Sequence, residues 1–350
     1  MAVQWEVFEM KVETSSSDHV QDSLFANGRM QVPVIVSIEA INPATGTIHK
    51  LSEEQLNTIE LVDYDYPTMQ LPTDWAYSDE ENEFNHVLPA IASTETPQAE
   101  VSNPNANPQK KTWWVLTWKV ERKNIGARIK TLNGTVHHTG GGIGHSDSHV
   151  TIIGQSPIHY DMSNVRFDRE DRIIVYIGSY MCEQYNFYLS SARHRFQNVE
   201  VTKGSFFDPA TDPPIDRCYL RVSSPPHPRF QQFSFLHYLW PMGPQQTRQV
   251  GNKNAHTNIT INQRPGALCF TSFSLTGRPP LYGDSAGWYE KHFKVYDEYG
   301  NWGHFKASHS NGFVDITVSA LNAFSDGKVA PREAFTPISP QEAASIDPGN

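Results

Sequence analysis

Cysteine is scarce in this chain of 350 residues. There are three, Cys182, Cys218 and Cys269, odd in number and far apart. No C-x-x-C pair occurs, which excludes a cysteine-rich zinc site. The expectation is a reduced chain whose thiols serve as small buried hydrophobes, with one disulfide and a spare thiol as the alternative for a released protein. Long apolar runs are also missing, and none approaches the roughly 20 residues that span a bilayer as a helix. No transmembrane segment is therefore expected. The first residues, Met1-Ala2-Val3-Gln4-Trp5-Glu6, show neither a basic n-region nor an apolar h-region. The chain reads as cytoplasmic, or as released by a route without a Sec signal peptide. Glycine and proline, 22 and 24, stay near ordinary usage, which excludes collagen-like sequence.

Catalytic signatures are equally thin. Gly140-Gly141-Gly142-Ile143-Gly144 lacks the lysine and the following helix of a phosphate loop. Gly283-Asp284-Ser285-Ala286-Gly287 lacks the strand–elbow–helix context of a serine hydrolase and reads as a loop. Asp79-Glu80-Glu81-Asn82-Glu83 has neither the spacing nor the glycine of an EF-hand, so it reads as a solvated acidic loop.

Basic residues are nearly absent from the first 105 positions, which hold three (Lys11, Arg29, Lys50) against eighteen acidic ones. The remainder carries 25 basic and 20 acidic residues. An acidic N-terminal region repels phosphate backbones, which excludes nucleic acid as a partner. The split allows either a solvated acidic domain or head-to-tail contact between acidic and basic surfaces, which would build open assemblies.

What the sequence does have is alternation and aromatics: 18 Phe, 14 Tyr and 8 Trp. Val7–Glu13, Val32–Ala40 and Thr58–Tyr64 alternate or run β-branched, which predicts strands. Asn27-Gly28 and Asn133-Gly134 are hairpin-type turn signals. Ser52-Glu53-Glu54-Gln55 is a capping box that starts one short helix. Strands at roughly 8–12-residue spacing with few 3.6-period segments predict an all-β chain of two or three Ig-like β-sandwich domains in tandem. The Ser, Thr, Asn, Pro and Gln-rich stretch 93–109 reads as a linker. This gives an acidic sandwich over 1–92, further sandwiches over 110–216 and 217–335, and a tail over 336–350.

Leu24–Val36, with its Ala26-Asn27-Gly28 turn before an alternating strand, resembles the entry of bacterial Ig-like domains of the invasin/intimin type. Val295-Tyr296-Asp297-Glu298-Tyr299-Gly300-Asn301 looks like the V-x-D-x-x-G-N strand and turn of the same modules. The resemblance covers some 30 residues. It implies sandwiches used as adhesive or spacer modules.

Two constellations are candidate sites. If Gly144–His149 is extended, His145, Asp147 and His149 share one face, because strand side chains alternate. Two imidazoles and a carboxylate suit Zn²⁺ or another divalent metal, with His137 across the glycine run as a further ligand. The same segment also reads as a polar strand end beside a loop. The second is aromatic. Trp114 and Trp118 share a strand face and Trp113 points the other way, so one side packs as core and the other is free for a sugar ring or a protein. Tyr238, Trp240, Trp288, Tyr289, Tyr296, Tyr299 and Trp302 are candidates for a second such group, with core packing as the default reading.

The sequence thus predicts a non-enzymatic interaction or structural protein, adhesin-like, toxin-component or self-assembling, that needs no cofactor. Its partner is a protein, itself included. The alternatives are a carbohydrate-binding protein using Trp and Tyr platforms, and a metal-dependent enzyme built on residues 145–149.

Overall fold

The structure is a computed structural model that describes residues 4–89, 108–131, 133–140, 147–178, 180–203, 233–251, 256–276, 291–309 and 315–321. Its contacts divide the chain into two compact units, one built on the residues up to Pro157 and the other on Ile158–Glu333.

Unit 1 is a sandwich of two sheets. It contains β1 (Glu6–Thr14), β2 (Gln21–Phe25), β3 (Val32–Ile41), β4 (Ile48–His49), the helix α1 (Glu53–Leu56), β5 (Glu60–Asp63), β6 (Trp75–Ser78), β7 (Gln109–Thr117), β8 (Arg122–Lys130), β9 (Val136–His138) and β10 (Val150–Gln155). One sheet runs β1-β3-β7-β6 with β4 on β3; the other runs β2-β10-β8-β5 with β9 on β8. Val32, Val34, Val36, Val115, Ile125, Ile129, Val150 and Ile152 are all fully buried. Alternation supplies this core, because every second side chain of a strand turns to the facing sheet.

The local signals act as expected. Asn27 Oδ1 accepts the N–H groups of Arg29 and Met30, and Gly28 takes φ +69°. A β-carbon there would also meet the Trp118 indole. Ser52 caps α1 by accepting from Gln55 N at 3.3 Å, and Gln55 Oε1 accepts from Ser52 N at 2.8 Å.

The expected boundary at 93–109 is corrected. β7, which follows that stretch, pairs with β3 (Val34 with Trp113, Ile35 with Thr112) and with β6 (Ser78 with Trp114). The stretch therefore joins two strands of one sheet. Pairing across long sequence separations decides the domain. The charge split is corrected with it. Residues 1–157 hold 20 acidic and 10 basic residues, and 158–350 hold 18 of each. The basic excess sits on β7 and β8 and is spent inside unit 1. Arg128 pairs with Glu60 at 2.6 Å, Lys111 with Asp79 at 3.7 Å, and Lys123 with Asp63.

Unit 2 contains β11 (Val165–Arg169), β12 (Ile173–Ile177), β13 (Tyr180–Ser191), β14 (Phe196–Lys203), β15 (Phe233–Leu239), β16 (Gln246–Gly251), β17 (His256–Ile261), β18 (Leu268–Thr276), β19 (Lys291–Asp297), β20 (Trp302–His309) and β21 (Ile316–Ala320). A central sheet runs β11-β13-β18-β15, with β12 also on β13, and a second runs β14-β19-β20-β21. Phe187, Leu189, Leu268, Phe270, Phe293, Val295 and Phe305 fill the space between them. The other face of the central sheet carries the β16–β17 hairpin over Cys182, Tyr188, Tyr238, Trp240, Cys269 and Phe273. Unit 2 thus has three layers. Because β13 pairs with β18 along nine residues, the expected break at 216/217 falls inside one unit. The 208–216 segment itself and the 336–350 tail lie outside the described residues.

Cys182 and Cys269 are buried free thiols, as expected, and burial pushes both up to about 11. Their strands are neighbours, but Cys182 lies opposite Leu275 and Cys269 opposite Tyr188. A six-residue offset at ~3.3 Å per residue puts them far beyond disulfide reach. Cys218 lies outside the described residues.

Candidate binding faces

The expected metal segment is only partly described: His145 lies outside it. Residues 147–149 are not strand, since β10 begins at Val150, so the period-two face does not form there. Asp147 and His149 instead converge on Tyr64. The Tyr64 hydroxyl donates to Asp147 Oδ1, and the Tyr64 and His149 rings sit 4.2 Å apart. Ser148, between them, faces β1. It accepts from Val12 N at 2.9 Å and reaches Val12 O at 3.4 Å. The register places His137 with Ile129 and His138 with Arg128, on opposite faces of their sheet. Among the described residues no group of three His, Cys, Asp or Glu is placed to hold a metal ion.

The aromatic candidates separate by burial. Trp113, Tyr238 and Trp240 are core residues at 7%, 1% and 0% exposure, so their platform role is corrected. Tyr238 and Trp240 stack at 5.3 Å, and Trp240 Nε1 donates to Thr271 Oγ1 at 2.9 Å. The β16–β17 hairpin makes both faces of the central sheet interior, which alternation on β15 alone does not reveal. Trp288 lies outside the described residues. Trp114, Trp118 and Trp302 are half-buried. Trp113 and Trp114 do point to opposite faces, as expected.

Trp114 is covered rather than free. His86 lies 4.4 Å from its ring, held by Glu81 at 2.9 Å. The acidic loop is a brace. Asn82 accepts from Phe84 N and donates to Arg29 O at 2.6 Å, while its own N–H goes to Gln31 Oε1. An open recess of about 530 Å³ is lined by Glu81–Val87. Asp79, Glu80, Glu81 and Glu83 are exposed, as the reading of a solvated acidic loop expects, and the ties of Asn82 to Arg29 and Gln31, some fifty residues away, are what the sequence does not show.

The group that stays together is on the outer face of β14-β19-β20-β21. Phe293, Val295 and Phe305 point to the core, so the alternate residues His292, Lys294 and Tyr296 on β19 and Trp302, His304 and Lys306 on β20 take the opposite face. Lys294 and Tyr296 are buried on this face, and Lys294 Nζ lies 5.2 Å from the centre of the half-buried Trp302 ring, a cation–π geometry. The His292 and His304 rings are 6.1 Å apart, and His159 meets the edge of Trp302 at 5.3 Å. Burial lowers His159 below the usual histidine value, while nearby Asp161 acts in the opposite sense. The Tyr296 hydroxyl donates to Glu200 at 2.7 Å. Of this face, sequence reasoning found Trp302 and Tyr296. The alternation of His292 and Lys294 against Phe293 and Val295 carried the rest.

No family model and no curated protein matches the chain. Among solved structures, it aligns with the C-terminal domain of the Streptococcus agalactiae AgI/II polypeptide BspA at 11% identity and a TM-score of 0.19, over 89% of this chain and 100% of that one. It aligns with the C-terminal domain of the Streptococcus pyogenes antigen I/II-family protein AspA at 10% identity and a TM-score of 0.20, over 90% and 100%. Both are antigen I/II-family domains and not invasin or intimin modules. Scores this low transfer no role. The class that the strands define is an all-β chain of packed sheets.

Proposed function

We propose that this chain is a non-enzymatic interaction protein that works through the surfaces of its β-sandwiches. The observation that carries the reading is the outer face of β19 and β20. It sets the half-buried Trp302 indole beside the His292 and His304 imidazoles and the Lys306 ammonium on a rigid sheet, with Lys294 and Tyr296 buried among them. Such a face offers flat apolar area together with hydrogen-bond donors, the composition of interaction surfaces. The Lys306 ammonium, the one of the two that reaches the surface, favours a partner with acidic groups. A glycan is the second reading, and it rests on Trp302 being, among the described residues, the ring of the second aromatic group that reaches the surface.

The test pairs binding with turnover. Acidic peptides and a glycan array are applied to the full chain and to Trp302→Ala, and ester, peptide and glycoside substrates are followed with the same preparations. The expected result is stoichiometric binding that Trp302→Ala weakens about 10-fold or more, as for loss of an aromatic anchor, with no substrate consumed. Turnover that copurifies with the chain would overturn the interaction reading. Sugar binding without peptide binding would replace the protein partner by a glycan.

A further inference from the structure

β12 is an edge strand of unusual composition. β13 gives one side to β18 and the other to β11 and β12, so β12 ends the central sheet among the described residues. Its five residues are Ile173-Ile174-Val175-Tyr176-Ile177, without a charge or a proline. Val175 and Ile177 pack on the core under the hairpin. Ile173, Ile174 and Tyr176 are 49%, 42% and 70% exposed.

Edge strands expose unpaired N–H and C=O groups, and soluble proteins guard them with charges, polar side chains or capping contacts. Several other edges of this chain are guarded, and the uncharged β15 at the far end of the same sheet has His237, Tyr238 and Leu239 buried where β12 exposes three apolar side chains. On β1, Ser148 occupies the Val12 N–H, and Glu6, Glu9, Lys11 and Glu13 line the strand. β11, on the same side of β13, carries Arg166, Asp168 and Arg169. β21 exposes Thr317 and Ser319. The guard stops where β12 begins.

We infer that β12 is a self-pairing edge: two copies of this chain join through it as antiparallel strands about a twofold axis at Val175. The inference rests on the interaction reading and names one partner, a second copy. Two features single out that occupant. The first is self-complementarity. In this register Ile173 faces Ile177, Ile174 faces Tyr176 and Val175 faces itself, all aliphatic or aromatic pairs of the kind that stabilise sheets. The second is charge. No charged residue enters the paired stretch. Arg172, just before it, is held by its own Glu183 at 3.0 Å and lies opposite Gly178 of the other copy. Unit 2, Ile158–Glu333, carries 18 basic and 16 acidic residues, whereas 1–157 carry 20 acidic and 10 basic. Pairing through unit 2 brings together the nearly neutral part of the chain, and pairing through unit 1 would oppose a large like charge.

The experiment is analytical ultracentrifugation of the full chain across a concentration series, with Ile174→Lys/Tyr176→Lys beside it. Both side chains point into solvent, so thermal unfolding of the variant should match the wild type. The wild type should pass from monomer to dimer, and the variant's dissociation constant should rise about 100-fold, the cost of placing ammonium groups opposite one another. Val175→Cys should also form an intermolecular disulfide under diamide, with Thr317→Cys remaining uncrosslinked. A wild type that stays monomeric at every concentration overturns the inference and leaves the interaction reading to the ligand experiment on Trp302→Ala. Self-association that the lysine pair leaves unchanged also overturns it, while supporting the broader reading through another surface.

Discussion

Tyr160 donates its hydroxyl to Asp297 at 2.8 Å, joining the first segment of unit 2 to the β19–β20 turn across 137 residues. Both residues are fully buried. Asp297 also accepts from the N–H groups of Tyr299 and Asn301 and from Asn301 Nδ2. Asn301 Oδ1 in turn accepts from Ile158 N. Burial holds the Tyr160 hydroxyl far above the usual tyrosine value, so it remains a donor. The Val-x-Asp-x-x-Gly-Asn pattern is thus a turn lock. Asp297 gathers the donors, Gly300 supplies φ +77°, and Asn301 ties the turn to Ile158.

Removing the acceptor should cost more than removing one donor. Tyr160→Phe should destabilise unit 2 by about 1–2 kcal/mol, and Asp297→Ala by about 3–5 kcal/mol because several buried donors lose their partner. The double variant should cost less than the sum, since the two residues share one bond. Urea unfolding followed by Trp fluorescence measures all three. Strict additivity would show that the contact is not energetically coupled.

Gly28 should tolerate no side chain. Its φ of +69° is strained for other residues, and a β-carbon would fall 2.0 Å from Trp118 Nε1. Gly28→Ala should lose about 1–3 kcal/mol. Trp118→Leu in the same background should recover part of that loss if the indole is the obstacle. No recovery would assign the whole cost to the backbone.

Much of this architecture is legible in the sequence, and the illegible part has a common cause. Turns are local, so Asn27-Gly28, Ser52–Gln55 and Asp297–Asn301 announce themselves within a few residues. Pairing is not local. Nothing between residues 93 and 109 says that Trp113 will lie beside Val34. The number of layers is also hidden. Tyr238 and Trp240 alternate as a surface aromatic row would, and only the hairpin packed above them makes them core. The charge split misled for the same reason, because Arg128 and Glu60 are distant in sequence and adjacent on paired strands.

The buried thiols should resist alkylation in the folded chain. A thiol raised to about 11 carries little thiolate near neutral pH, and only the thiolate attacks iodoacetamide. Peptide mapping after brief alkylation should leave Cys182 and Cys269 unlabelled until denaturant is added. Fast labelling of Cys269 in the native chain would mean that the β16–β17 layer opens readily.

His159 gives stability a dependence on acid. Its folded value lies below the ordinary 6.5, with burial as the largest cause. The unfolded chain therefore binds the proton more readily in the window between the folded value and 6.5. Stability rises with pH wherever the unfolded state holds more protons. The contribution of His159 is complete above 6.5 and is lost as pH falls through that window. His159→Gln removes the titrating group while keeping a polar side chain beside Trp302. The unfolding free energy of the variant should fall less steeply than that of the wild type between neutral pH and pH values below the folded value. Parallel curves for the two proteins would show that proton uptake at His159 is not coupled to unfolding, and that the 5.3 Å contact with Trp302 survives protonation.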